Sequence, residues 1–254
     1  MCMKFWILGD SFGTSNDVTE YYHELKSAYP TIPNRQDIVN SEWVRIIAEH
    51  LQYEYNDEYN LSTYGRSADW YLMKLFRLIN KKLISSNDFV LITSTAETRF
   101  EYSTDISKTY GFDSINSHIK TFQNSTGHQD FTQKEGTMHW EVPSSLQSYM
   151  TNNQDYTWLA HLHLMKHEFV KGYLDSLGIK NMIVQGIACR NDDLPDNSLG
   201  WGKQPSPEAL IKETMGHYGI TDDYTFLTYM AFKNHLEPKQ NKIYAEQLLE
   251  FYKY

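Results

Sequence analysis

The sequence has little cysteine, a deficit of cationic residues and no long apolar run. Only Cys2 and Cys189 occur among 254 residues, too few for a disulfide framework, and this usage fits a reducing compartment. The 23 Lys and Arg are outnumbered by 32 Asp and Glu, which gives a net charge of −9. Binding to nucleic acid or to an anionic membrane surface needs clustered cations, so we expect neither partner.

The apolar runs are also far shorter than a membrane span, and residues 1–4 lead directly into the first of them. A secretion signal would need a charged region followed by a longer apolar region, so none is predicted. We therefore expect a protein without a membrane-spanning helix that stays in the cytoplasm.

The apolar pattern predicts alternating strands and helices along one domain, residues 1–254. Such alternation predicts an α/β fold with a parallel sheet and helices on both faces. Residues 102–150 are polar and lack a clear period, which indicates an insertion or a lid over a substrate cleft. Residues 224–230 fit either a last strand or a loop. The strands are predicted at about 5–8, 53–61, 88–94 and 181–187, and the helices at about 41–51, 68–82, 155–177, 207–218 and 239–252.

A serine hydroxyl stands where the first predicted strand ends. The apolar residues 5–8 suit a buried parallel strand and run directly into Gly9, Asp10 and Ser11. The stretch also matches the G-x-S-x-G elbow of α/β-hydrolases, but that elbow follows several strands, and only one strand can precede Ser11. Ser11 is therefore a candidate nucleophile of another kind, provided that the chain supplies a base and oxyanion donors.

The order of four blocks along the chain resembles that of the SGNH (GDSL-type) hydrolases. Gly9-Asp10-Ser11 resembles the first block, and Asn60 to Ser67 resembles a second block whose loop glycine is Gly65. His235, just before the last helix, stands where the family keeps its base. The resemblance implies a three-layer α/β/α flavodoxin-like fold, a serine nucleophile at Ser11, a base at His235 and oxyanion N–H groups at Ser11 and Gly65.

The sequence departs from the family at the other two signature residues. The asparagine that follows the third strand and donates to the oxyanion is absent, and a hydroxyl of Ser94 or Thr95 is the candidate replacement. The aspartate that precedes the histidine by three residues is also absent, because position 232 is Phe. A Ser–His dyad with a backbone carbonyl, or a triad completed elsewhere, would remain; the acids nearby in the sequence are Asp222, Asp223 and Glu237.

Arg99 follows the third strand at the predicted rim of the site. Its guanidinium could clamp a substrate carboxylate, or it could pair with Glu97 or Glu101 and hold the loop. The pairing is slightly favoured.

Two acid or histidine clusters offer alternative sites. His163 and His167 have the i, i+4 spacing of zinc ligands, but no third ligand is evident, so we expect a solvated helix face with His161. Asp192, Asp193 and Asp196 lack the spacing of a calcium loop and are expected to be solvated. No metal or other cofactor is predicted.

These features favour a serine esterase that cleaves an oxygen ester, with an acyl group on a carbohydrate as the favoured substrate. The alternative is a non-catalytic carbohydrate-binding or virion-associated module that kept the fold and lost the chemistry, and the two missing signature residues motivate it. Because phage proteins are common in divergent branches of this family, the resemblance adds a virion-associated location to the cytoplasmic one.

Overall fold

A computed structural model of the chain describes residues 3–9, 13, 42–62, 67–95, 99–103, 119–123, 156–185, 198–205, 207, 210, 213, 216, 236 and 238–253. The strands are β1 Phe5–Gly9, β2 Phe89–Thr93, β3 Arg99–Ser103, β4 Ile119–Gln123 and β5 Lys180–Val184. The α-helices are α1 Glu42–His50, α2 Ala68–Asn80, α3 Tyr156–Ser176 and α4 Pro238–Tyr252, and a 3₁₀ turn spans Asp57–Tyr59.

The central element is an open parallel sheet in the order β1-β2-β5. Phe5 of β1 lies opposite Phe89 of β2, and Phe89 lies opposite Lys180 of β5. On the other side of β1, the chain from Glu54 to Asn60 runs parallel to it and forms bridges at both ends. β1 therefore has backbone neighbours on both sides, and the α/β class that the sequence predicts is confirmed at this level.

The segment expected to be the second strand, 53–61, lies beside β1 but is not a continuous strand. Lys4 bridges Glu54 and Ile7 bridges Asn60, while the 3₁₀ turn interrupts the pairing between them. Asn56 begins that turn, because its side chain accepts a hydrogen bond from the Glu58 N–H at 3.0 Å.

Alternation along β1 sends its side chains into two separate apolar clusters. Phe5 and Ile7 pack with residues of α1 and α4, whereas Trp6 and Leu8 pack with residues of α2 and α3. All five residues of β1 are buried. Such a strand has no solvated face, which explains its continuous apolar sequence.

The hydrogen bonds that follow α1 show how this helix is oriented relative to the sheet. After α1, Tyr53 donates its N–H to Ala48 at 2.9 Å and Glu54 donates to Met3 at 2.8 Å, beside the start of β1. α1 therefore runs antiparallel to β1, and its first turn lies toward the carboxyl end of the sheet. α3 ends as predicted, with Gly178 in the left-handed region at φ +69°.

β3 and β4 pair in antiparallel register, with Arg99 opposite Gln123, and β3 lies beside α2. The prediction of an irregular stretch over 102–150 is therefore wrong at 102–103 and 119–123, where backbone pairing satisfies the peptide groups. A lid function for that stretch stays a prediction. In the described part of the chain, no helix is long and apolar enough to cross a membrane.

Candidate active site

Gly9, the last residue of β1, lies tightly against the end of β2. Its φ of +148° is a conformation that side chains disfavour, and a Cβ there would overlap the backbone and the hydroxyl of Thr93. Only glycine fits such a close approach of two chains. The chain therefore leaves β1 at a position fixed by its contact with β2.

Gly13 also lies against the carboxyl end of β2 and against the segment that follows Asn60. A Cβ on Gly13 would lie 2.7 Å from the Ser62 Oγ and 2.8 Å from the Thr93 Oγ1. The Asn60 Nδ2 donates a hydrogen bond to the Gly13 carbonyl oxygen at 2.9 Å. Gly9 and Gly13, which flank Asp10-Ser11-Phe12 in the sequence, are thus both held at the carboxyl end of the sheet.

Three of the predicted site residues, Ser11, Gly65 and His235, lie outside the described residues, as do Asp222, Asp223 and Glu237. Leu236, which follows His235, is described and fully buried. Its carbonyl accepts a hydrogen bond from the Asn241 Nδ2 at 2.8 Å, and the Asn241 Oδ1 accepts the Trp43 N–H at 3.1 Å. Asn241 therefore joins Leu236 to the first turn of α1, toward the carboxyl end of the sheet.

Ser94 and Thr95 follow β2 and are both buried. The Ser94 N–H donates to the Val184 carbonyl at 2.8 Å and continues the pairing of β2 with β5. The Thr95 N–H donates to the Tyr71 hydroxyl at 3.4 Å. The role of either hydroxyl as an oxyanion donor stays a prediction. Arg99 begins β3, and its side chain lies outside what the structure describes.

A buried hydrogen-bonded chain continues from Tyr71 into α3. The Tyr71 hydroxyl lies 2.8 Å from the His167 Nε2, and the His167 Nδ1 lies 2.7 Å from the His163 carbonyl oxygen. A carbonyl can only accept, so Nδ1 carries the proton and Nε2 accepts from the Tyr71 hydroxyl. The Tyr71 oxygen accepts the Thr95 N–H.

The prediction of a solvated face at His163 and His167 is wrong. Their rings lie 4.4 Å apart and pack against the Trp201 ring, at 5.7 Å and 5.0 Å between centroids. Burial lowers the pKa of His167 to about 4 and lowers that of His163 well below its ordinary value, so both are neutral at pH 7. Among the described residues, no group of three potential ligands could hold a metal ion.

No protein-family model matches the chain, and neither the curated proteins nor the solved structures contain a significant relative.

Sequence reasoning missed Tyr71 and Trp201 as parts of this region, the bond from Asn60 to Gly13 and the burial of the two histidines. A signal for that burial exists, because His163, His167, Val170 and Leu174 recur at i, i+4, i+7 and i+11. All four are buried. Such spacing is typical of a core-facing helix stripe.

On the side of β5 that faces away from β2, side chains of the described residues contact its backbone. The Ile183 carbonyl oxygen accepts from the Tyr252 hydroxyl at 2.7 Å, the Gln204 Nε2 at 3.0 Å and the Trp201 Nε1 at 3.3 Å. Next to this edge is a cavity of about 430 Å³, which Lys171 and Asp175 help to line. These two residues are paired at 2.6 Å, and the cavity borders the amino end of β5. It is therefore not a pocket of the candidate active site.

Proposed function

We propose that the chain is a serine esterase of the SGNH type, with Ser11 as nucleophile and His235 as base. The observation that carries the proposal is the double contact of Gly9 and Gly13 with the ends of the neighbouring strands. In open parallel sheets, ligands bind beyond the carboxyl ends of the strands. A hydroxyl between these two glycines in the sequence therefore belongs to the part of the fold where a substrate is expected.

We extend the proposal to the three-layer flavodoxin-like fold. The spatial order of segment 54–60, β1, β2 and β5 corresponds to the order 2-1-3-4 along the chain, which is the doubly wound order. The two apolar clusters, one with α1 and α4 and the other with α2 and α3, support helices on both faces.

The base is the second part of the proposal. His235 immediately precedes Leu236, which Asn241 joins to the first turn of α1. That turn and the Gly9–Gly13 region both lie toward the carboxyl end of the sheet. In the sequence, His235 is therefore next to a residue at this end of the fold, and Ser11 is two residues from both Gly9 and Gly13.

In the proposed reaction, His235 accepts the Ser11 proton while the Ser11 Oγ bonds to the acyl carbon of the ester. The N–H groups of Ser11 and Gly65, and a hydroxyl of Ser94 or Thr95, stabilise the oxyanion. The intermediate collapses, and the alcohol leaves with the proton from His235. Water then adds to the acyl-enzyme with His235 as base again, and the acid and free Ser11 result. No cofactor takes part.

The proposed substrate is an oxygen ester, with an acyl group on a carbohydrate as the favoured class. Arg99 is proposed to contact the substrate or to hold the loop after β2. Both roles stay predictions.

A specific observation favours the second candidate, a non-catalytic carbohydrate-binding or virion-associated module. Ser94 and Thr95 replace the family asparagine, and both are buried with their N–H groups engaged inside the protein. The family asparagine donates through its side chain, so at this position only a buried hydroxyl could take its place as the third oxyanion donor.

Labelling with a serine-directed fluorophosphonate, followed by peptide mapping, separates the two candidates. We expect labelling at Ser11 and its loss in Ser11→Ala. The matched control is Ser86→Ala, because Ser86 is exposed in the turn before β2, at the other end of the sheet. Absence of label on Ser11 in the native protein would favour the non-catalytic module.

A further inference from the structure

We propose that Asn60 is a positioning residue that holds the Gly13 carbonyl in place; this inference rests on the proposed function, in which Ser11, two residues before Gly13 in the sequence, is the nucleophile. Asn60 is 47 residues from Gly13 in the sequence, and its Nδ2 donates to the Gly13 carbonyl at 2.9 Å. Gly13 follows Ser11 by two residues. The bond therefore acts on the backbone next to the proposed nucleophile and not on a substrate.

Asn60 is itself held rigidly to β1. Its own N–H donates to the Asp57 carbonyl at 3.1 Å, and the next residue, Leu61, donates to the Ile7 carbonyl at 2.8 Å. The Asn60 Oδ1 accepts the Ser62 N–H at 3.2 Å. These bonds hold the backbone of residues 60–62 beside β1. The Asn60 amide therefore holds Gly13 at a defined position relative to the sheet.

An amide is the side chain that this position requires, because it donates and accepts at once. Burial raises the pKa of the Tyr55 phenol, and the Asn60 side chain opposes that rise. An aspartate of the same shape would still accept the Ser62 N–H. It could not donate to Gly13, and its charge would face the Gly13 carbonyl oxygen.

Other described residues restrict Gly9 and Gly13 by close packing. Gly9 is confined by the Thr93 backbone, and Gly13 is packed against the Ser62 and Thr93 hydroxyls. Packing limits how closely Gly13 can approach Ser62 and Thr93, whereas the Asn60 bond prevents Gly13 from moving away from them. Small displacements of a nucleophile matter, since about 1 Å can change a rate by about 10²-fold.

The test compares Asn60→Asp with Asn56→Asp in the full chain. Asn56 is in the same segment, but its side chain only accepts, from the Glu58 N–H at 3.0 Å, and aspartate preserves that bond. The readouts are the rate of fluorophosphonate labelling at Ser11, kcat and KM with p-nitrophenyl acetate, the melting temperature and amide hydrogen exchange of peptides spanning 5–16.

For Asn60→Asp we expect labelling and kcat to fall at least about tenfold with little change in KM, together with faster exchange over 5–16. The melting temperature should stay near that of the native chain, and Asn56→Asp should match the native protein in every readout. If Asn60→Asp does not fold, Asn60→Ala replaces it, because it removes the bond without adding a charge.

Native rates of labelling and exchange in the folded Asn60 variant would overturn the inference while the proposed function stands. A native protein that is not labelled at Ser11 would overturn the proposed function and, with it, any positioning of a nucleophile by Asn60.

Discussion

The Tyr71 hydroxyl serves two buried groups at once, donating to the His167 Nε2 and accepting the Thr95 N–H. Tyr71→Phe leaves both groups buried without this partner, so we expect a loss of about 2–3 kcal/mol in the free energy of unfolding. Tyr173→Phe, on the partly buried face of α3, should change stability by less than about 0.5 kcal/mol. Urea unfolding of both variants measures the difference. Equal stabilities would mean that water replaces the Tyr71 hydroxyl.

A second residue prediction concerns the pH profile of the proposed esterase. His235 must be neutral to accept the Ser11 proton, so kcat/KM should rise through one ionisation at roughly pH 6 to 7. The pKa values of the buried His163 and His167 are lowered, so neither accounts for an ionisation in that range. His235→Ala should abolish the pH-dependent activity. A rate that is flat between about pH 5 and 8 would contradict His235 as the base.

A third prediction concerns two glycines, Gly172 inside α3 and Gly178 just after it. Gly178 stops α3 at φ +69°, so Gly178→Ala should destabilise by about 1 kcal/mol. Gly172 is inside α3 with no atom within 4 Å of a Cβ built there, so Gly172→Ala should stabilise by roughly 0.5–1 kcal/mol. Thermal unfolding should shift in opposite directions for the two variants. Shifts of the same sign would contradict this account of where α3 ends.

Local apolar spacing was sufficient to predict the four described α-helices, because contacts within one helix face recur every three or four residues. The helix predicted at 41–51 is observed as Glu42–His50, and the one at 155–177 as Tyr156–Ser176. The pairing of β4 with β3 was not predictable in this way, since β4 is mostly polar and its partner is a separate segment. Segment 53–61 was predicted as one strand because a 3₁₀ turn of polar residues leaves no distinct apolar period.

The site is predictable only where its residues are neighbours in the sequence. An apolar run that is followed by glycine, aspartate and serine correctly predicted where β1 ends, whereas the role of Ser11 stays a prediction. The bonds that surround this end join residues 47 apart, from Asn60 to Gly13, and 96 apart, from Tyr71 to His167. Such contacts depend on how the helices pack on the sheet, and no local pattern encodes them. The two buried histidines were misjudged because their polarity outweighed the helical stripe to which they belong.

Burial of two neutral histidines predicts that the whole fold loses stability in acid. In the unfolded chain each histidine binds a proton below about pH 6.5, whereas folding lowers the pKa of His167 to about 4. The unfolded state thus binds more protons in this window, and stability that is present above pH 6.5 is lost as the pH falls. Lys166 adds to this lowering and Asp69 opposes it, but burial dominates. His167 alone should remove roughly 3 kcal/mol between pH 6.5 and 4.

The measurement is urea unfolding from about pH 7 to pH 4 in three proteins: the native chain, His163→Leu and His50→Gln. The His163 Nε2 is buried and has no hydrogen-bond partner among the described residues, so leucine removes an ionisable group at little structural cost. We expect His163→Leu to lose less stability than the native chain over this range. His50 is exposed at the end of α1, and its replacement should leave the native pH dependence unchanged. Stability is independent of pH only when the folded and unfolded states bind the same number of protons. A constant stability of the native chain from pH 6.5 to 4 would therefore contradict two neutral histidines in the folded protein.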